Sequence, residues 1–189
     1  MSTELALVKP SARNLYLAQQ VDQESMNKIS KSIIEIRESD ELLKKFYPLF
    51  NLVYTPAPIV LHVDSYGGAV YQCFGLLSIM KSAGTRVNTV VTGCAMSCGF
   101  MIAIHGHHRR IHENATLMYH QVSSKVGGTA KDIEEEVIEV KRLQEKIEHM
   151  TKAHTKITSK QLEAVYKKKK DWYLDAHEAV KWGCADEIV

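Results

Sequence analysis

A chain of 189 residues, 45% hydrophobic and 24% charged, is long enough for one domain with a substantial core. Its net charge of +2 excludes the strongly basic balance of a protein built around nucleic acid or an acidic membrane surface, and no run approaches the roughly 18 apolar residues of a membrane span. The four cysteines, Cys73, Cys94, Cys98 and Cys184, make no CxxC pair and no disulfide framework, which suits a reducing compartment.

The opening MSTELALVKPSARN carries Glu4 and no long apolar run, so it reads as neither a secretory signal nor a transit peptide. The expected location is the cytoplasm, or the soluble interior of an organelle or host cell. NLYLAQQV (14–21) alternates like a short strand, and Asp22 is placed to cap a helix whose Met26, Ile29, Ile33 and Ile36 recur at helical spacing. YTPAP then breaks the chain. IVLHV (59–63) reads as a buried strand ending in the turn DSYGG, followed by an apolar helix closed by Gly84.

RVNTVVTG predicts the next strand, with Gly93 as the turn into a helix CAMSCGFMIAIHG, and TLMYHQV (116–122) a further strand. This alternation implies an α/β fold with a parallel sheet and crossover helices. Ile133, Val137, Val140, Ile147 and Met150 then fall near steps of three and four, predicting one long helix that protrudes or lies along a partner. Two short helices finish the chain, the first capped by Thr158 or Ser159.

Three groups of residues invite chemistry. Ser97, in GCAMSCGF, reads either as a small packed residue or as a nucleophile at a strand-to-helix elbow, although GxSxG spacing is absent. Gly67 and Gly68 follow a buried strand and can present backbone amides to a ligand; two such turns in adjacent βα units can face one crevice. HGHHRRIH (105–112) reads as an exposed turn rather than a zinc site, since no HExxH or paired CxxC accompanies it. Cys94 and Cys98 read as small packing residues on one helix, and YKKKKD as a solvated basic patch. No GxxxxGK[ST] is present, so ATP hydrolysis on a P-loop is not expected. Residue types alone leave the base open among nine histidines and the carboxylate open among Asp64, Asp171, Asp175 and Asp186.

DSYGGAV, GCAMSCGFMIA, MYHQV, DIEEEVIEVKRLQEKIEHMTKAHT and KDWYLDAHEAVKWGCADEI occur in one order, and this succession resembles the proteolytic subunit of the Clp protease family from about residue 14 to 189. The resemblance implies a single domain over 1–189, an α/β spiral of βα units of the Clp protease and crotonase kind with a protruding handle helix. It implies a Ser-His-Asp peptidase with Ser97 as nucleophile, His120 as general base, Asp171 as orienting carboxylate, and the amides of Gly68 and Cys98 as oxyanion hole. It implies no metal and no cofactor. The implied partners are unfolded polypeptides, further copies of the chain in two stacked seven-membered rings, and a Clp-type ATPase unfoldase; nucleic acid and membranes are not among them.

Tyr66 and Val122 stand where the family commonly has proline, and the stretch QVSSKVGGTAK is short for the family. The segment 1–13 ahead of the first strand is also short, residues 38–58 read as an insertion, and about 121–152 as the handle region. A capsid-maturation protease, a non-cleaving ring subunit paired with an active paralogue, and a crotonase-type acyl-CoA hydratase or isomerase are the alternatives.

Overall fold

Alternation in Ile59–Ser65 puts Ile59, Leu61, Val63 and Ser65 on a fully buried face, and this strand (β2) is paired on both sides within the sheet. The structure is a computed structural model describing residues 12–168 and 170–189. The short segment expected at 1–13 therefore lies outside the described residues apart from Ala12 and Arg13, as does Lys169 in the basic run.

The strands β1 (Asn14–Leu17), β2 and β3 (Val87–Met96) pair in parallel, joined by helices α1 (Gln23–Phe46) and α2 (Val70–Ser82). Asp22 caps α1 as expected: its Oδ1 accepts from the Ser25 N–H at 2.8 Å, while Ser25 Oγ accepts from the Asp22 N–H. The first strand is shorter than predicted and leaves Val21 in an isolated bridge to Gly68.

The strand β3 corrects the predicted elbow. It does not turn at Gly93 but runs on to Met96, because Cys94–Met96 pair with Thr116–Met118 of β5 (Thr116–Tyr119). Gly93 instead permits a close approach: an added Cβ would stand 2.6 Å from Asp64 Oδ1, which accepts the N–H of Cys94. Cys94 therefore sits in a strand, and only Cys98 belongs to the helix α3 (Cys98–Ile104), every residue of which is buried. A helix apolar on all sides must be enclosed.

The first half of β3 pairs with β4 (Arg109–Ile111), which pairs with β7 (Glu187–Ile188), so the sheet forks along β3. The stretch HGHHRRIH thus contains a strand rather than forming a plain turn. His105 stacks on His154 with ring centroids 3.9 Å apart, and burial, then the facing His154, holds His105 down at about 4. Among the described residues no cluster of His, Cys, Asp or Glu is arranged to hold a metal. Among the described residues no helix is long and apolar enough to cross a membrane either.

The long helix α4 (Ala130–His154) starts at a capping box between Thr129 and Asp132. Its buried residues, Leu143, Gln144, Ile147 and Thr151, all lie in the C-terminal half; Ile133, Val137 and Ile138 are exposed. The expected apolar stripe therefore docks only at one end, and the other end projects. The chain closes through α5 (Ser159–Lys168), β6 (Trp172–Leu174) and α6 (Ala176–Lys181). Gln161 Oε1 accepts the Thr158 N–H ahead of α5. The range 38–58 holds the last two turns of α1, a 3₁₀ turn at Tyr47–Phe50 and an extended stretch into β2.

Candidate active site

Ser97 lies between the end of β3 and the start of α3, and its backbone is strained. At φ 53° and ψ −117° it occupies a region that costs a non-glycine residue on the order of 1–3 kcal/mol. Two main-chain bonds impose it: the Ser97 N–H donates to Met118 O at 2.9 Å, and its carbonyl accepts from Met101 N–H at 3.2 Å. Pinned to β5 on one side and to α3 on the other, Ser97 aims its hydroxyl out of the elbow. His120 Nε2 stands 2.8 Å from Ser97 Oγ.

His120 is there because β5 ends one residue earlier. The strand β6 runs antiparallel to β5 with Leu117 opposite Leu174, Met118 opposite Tyr173 and Tyr119 opposite Trp172. One further step of that register places His120 opposite Asp171, and His120 Nδ1 lies 3.5 Å from Asp171 Oδ1. The carboxylate is half exposed, at 50% of its side-chain area. Its rivals are otherwise engaged. Asp64 accepts from Cys94 N–H, Asp175 caps α6 through Glu178, and Asp186 pairs with Arg109.

The two glycines bring the second wall. Gly67 O accepts from Val21 N–H at 2.8 Å and Ala69 N–H donates to Val21 O at 2.7 Å, which leaves the N–H and C=O of Gly68 facing away from that bridge. The Gly68 carbonyl accepts the Cys98 thiol at 3.2 Å. Among the described residues, neither the Gly68 nor the Cys98 N–H has a protein acceptor. Both residues line one cleft of about 50 Å³ together with Ser97 and His120. The apolar side of this cleft is Val70, Met101, Val122 and Ile147. In the sequence Ile147 marks only the period of the long helix, and Val70 and Met101 are plain apolar helix residues. Nothing in their spacing marks them, since a cleft wall and a core face obey the same periodicity.

Gly67 packs directly beneath the Ser97 elbow at φ +94°, and a Cβ there would stand 2.6 Å from Met96 O, 2.8 Å from Ser97 Cβ and 2.9 Å from Cys98 N. Gly67→Ala is expected to destabilise the fold by more than about 1 kcal/mol, since both the backbone angle and the space exclude it. Gly75→Ala is the control: nothing lies within 4 Å of its added Cβ, and in the interior of α2 it stabilises by about 0.5–1 kcal/mol. Thermal unfolding of the two variants in parallel checks the contrast.

The chain belongs to the Clp protease family, whose profile matches residues 7–189. Over 133 residues it is 26% identical to the ATP-dependent Clp protease proteolytic subunit of Deinococcus radiodurans, covering 69% of this chain and 64% of that protein. The subunit of the same name from Dehalococcoides mccartyi is 29% identical over 133 residues, covering 69% and 66%. That of Mesostigma viride is 27% identical over 180 residues, covering 94% and 71%. The chain thus spans slightly less than two thirds of the length of the first two relatives. The α/β sheet with its projecting long helix agrees with the fold expected of this family.

Proposed function

We propose that this chain is a serine endopeptidase that cleaves unfolded polypeptides inside a chamber of stacked rings, fed by a Clp-type ATPase. The observation that carries the reading is the strained Ser97, with His120 Nε2 2.8 Å from its hydroxyl and Asp171 behind the ring. A packed core serine needs neither the strained backbone nor the histidine.

In this reading Ser97 Oγ attacks the scissile carbonyl carbon while its proton passes to His120 Nε2. The imidazolium that forms turns its Nδ1–H to Asp171, and the 3.5 Å separation closes as that charge develops. The carbonyl oxygen, now an alkoxide, receives the N–H groups of Gly68 and Cys98, each worth about 3–4 kcal/mol to the transition state. Collapse breaks the C–N bond, and His120 returns the proton to the departing amine. Water then cleaves the acyl-serine ester, with His120 again taking and returning one proton. No metal or cofactor enters the cycle.

Ring assembly is supported by the exposed apolar row Ile133, Val137 and Ile138 on the projecting half of α4, which calls for a partner surface. The ATPase is supported by the names of the curated relatives and by the lack of a P-loop in this chain. Location in the cytoplasm, or in an organelle or host-cell interior, agrees with the four cysteines being free.

Intact mass after treatment with a fluorophosphonate tests the nucleophile. One adduct is expected on the native chain and none on Ser97→Ala. An adduct that persists in Ser97→Ala, or an enoyl-CoA turnover indifferent to that substitution, would sink the peptidase assignment.

A further inference from the structure

Gln144 is a polar residue in the buried stripe of α4, 7% exposed and flanked along the helix by Leu143 and Ile147. Burying an amide is costly unless its donors and acceptor are engaged, and here they are. Its Oε1 accepts the main-chain N–H of Val122 at 2.8 Å. Its Nε2 donates to the Tyr119 hydroxyl at 3.2 Å and to Glu148 Oε1 at 2.8 Å. An N–H can only donate, so the Val122 contact fixes which end of the amide is oxygen.

These contacts bracket the proposed base. Tyr119 precedes His120 by one residue and Val122 follows it by two, so one side chain holds the chain on both sides of the imidazole. Tyr119 is itself set edge-on against Phe100 of α3, with centroids 5.7 Å apart, and α3 begins one residue after Ser97. Its hydroxyl stays protonated, since burial pushes it up to about 12 despite the opposing hydrogen bond from Gln144. His120 has little else to hold it: Asp171 is half exposed and 3.5 Å away, and the ladder of β5 stops at Tyr119.

We propose that Gln144 is a positioning residue, through which the long helix α4 sets His120 against Ser97. The proposal rests on the peptidase reading and adds to it a specific element: the docking of α4 and the alignment of the catalytic pair are one event.

The test compares the wild-type chain with Gln144→Met, which keeps length and apolar stem but cannot bond, and with Tyr119→Phe, which keeps the ring on Phe100. In Gln144→Met, kcat for peptide cleavage and the rate of fluorophosphonate labelling are expected to fall roughly ten- to a hundredfold with KM unchanged, the signature of a displaced catalytic group. The Val122 amide, followed by hydrogen exchange, loses its protection. Tyr119→Phe gives a smaller loss in the same direction. The double variant is no slower than Gln144→Met, because the hydroxyl acts through the amide.

A folded, assembled Gln144→Met that labels and cleaves at the wild-type rate overturns the proposal. A loss confined to KM, or effects of the two substitutions that simply add, overturns it as well. If Gln144→Met does not fold, Tyr119→Phe carries the test alone, and an unchanged kcat there decides against it. Failure of the peptidase reading is separate: cleavage surviving Ser97→Ala removes the nucleophile, while Val122 exchange in Gln144→Met still decides the clamp.

Discussion

His120→Ala is expected to lower kcat/KM for peptide cleavage by on the order of 10⁴–10⁶-fold, and Asp171→Ala by on the order of 10²–10⁴-fold. The difference follows from geometry. The histidine nitrogen stands 2.8 Å from Ser97 Oγ, so without it the serine proton loses its basic acceptor. The aspartate acts at one remove, is 50% exposed, and stands 3.5 Å from Nδ1, where water can partly substitute for it. Steady-state cleavage of a short fluorogenic peptide, which needs no unfolding, measures both losses without requiring the ATPase. Equal losses in the two variants would mean that Asp171 moves in and is buried when substrate binds. No loss in Asp171→Ala would point to another carboxylate. Asp64, Asp175 and Asp186 are all held elsewhere, so none can take its place without abandoning a main-chain hydrogen bond, a cap or an ion pair.

The βα alternation was legible because enclosed strands and helices leave continuous apolar runs, and Asp22 announced α1 because a cap is a local bond. What the sequence hid is what depends on pairing at a distance. Gly93 looks like a turn in one dimension; in three it is the point where a carboxylate from the neighbouring strand meets the backbone, and β5 keeps β3 extended beyond it. The strands β4, β6 and β7 have three, three and two residues, too few to show a period of two. The antiparallel register of β6 is nevertheless what sets Asp171 opposite His120, so only the likeness to a known family could single them out. Ile133 and Val137 gave a true helical period, and their exposure fits a helix too long to lie wholly on this domain. Gln144 did leave a trace. A glutamine on a stripe with Leu143, Ile147 and Thr151 is an anomaly that a buried polar role explains.

The largest expected loss of stability lies outside the Ser97 cleft. Asp40→Ala should destabilise the fold by about 3–5 kcal/mol, the range for breaking one side of a buried ion pair. Asp40 is 1% exposed and its two oxygens receive four donors: both terminal nitrogens of Arg13, the Tyr54 hydroxyl at 2.6 Å and the Thr85 hydroxyl at 2.6 Å. Arg13 leads into β1, Asp40 sits on α1, Tyr54 in the stretch before β2 and Thr85 before β3, so one carboxylate ties together four segments, including the range 38–58. Removing it leaves a part-buried guanidinium with only Ala57 O and the Tyr54 hydroxyl to donate to, and it strips the Tyr54 and Thr85 hydroxyls of their acceptor. Burial alone would push Asp40 up, but Arg13, Thr85 and Tyr54 together hold its carboxyl below the ordinary value. The sign of the pH dependence follows. As the medium is acidified the unfolded chain takes up the proton first, so the contribution of Asp40 is complete above about pH 4 and fades as the pH falls through the lower folded value. Urea unfolding of the wild type and Asp40→Ala, at matched protein concentration and at a series of pH values, should give a gap that is constant near neutrality and narrows only below about pH 4. A gap that narrows as pH rises instead would place the carboxylate in a protonated, donor-bearing role that its four donors contradict.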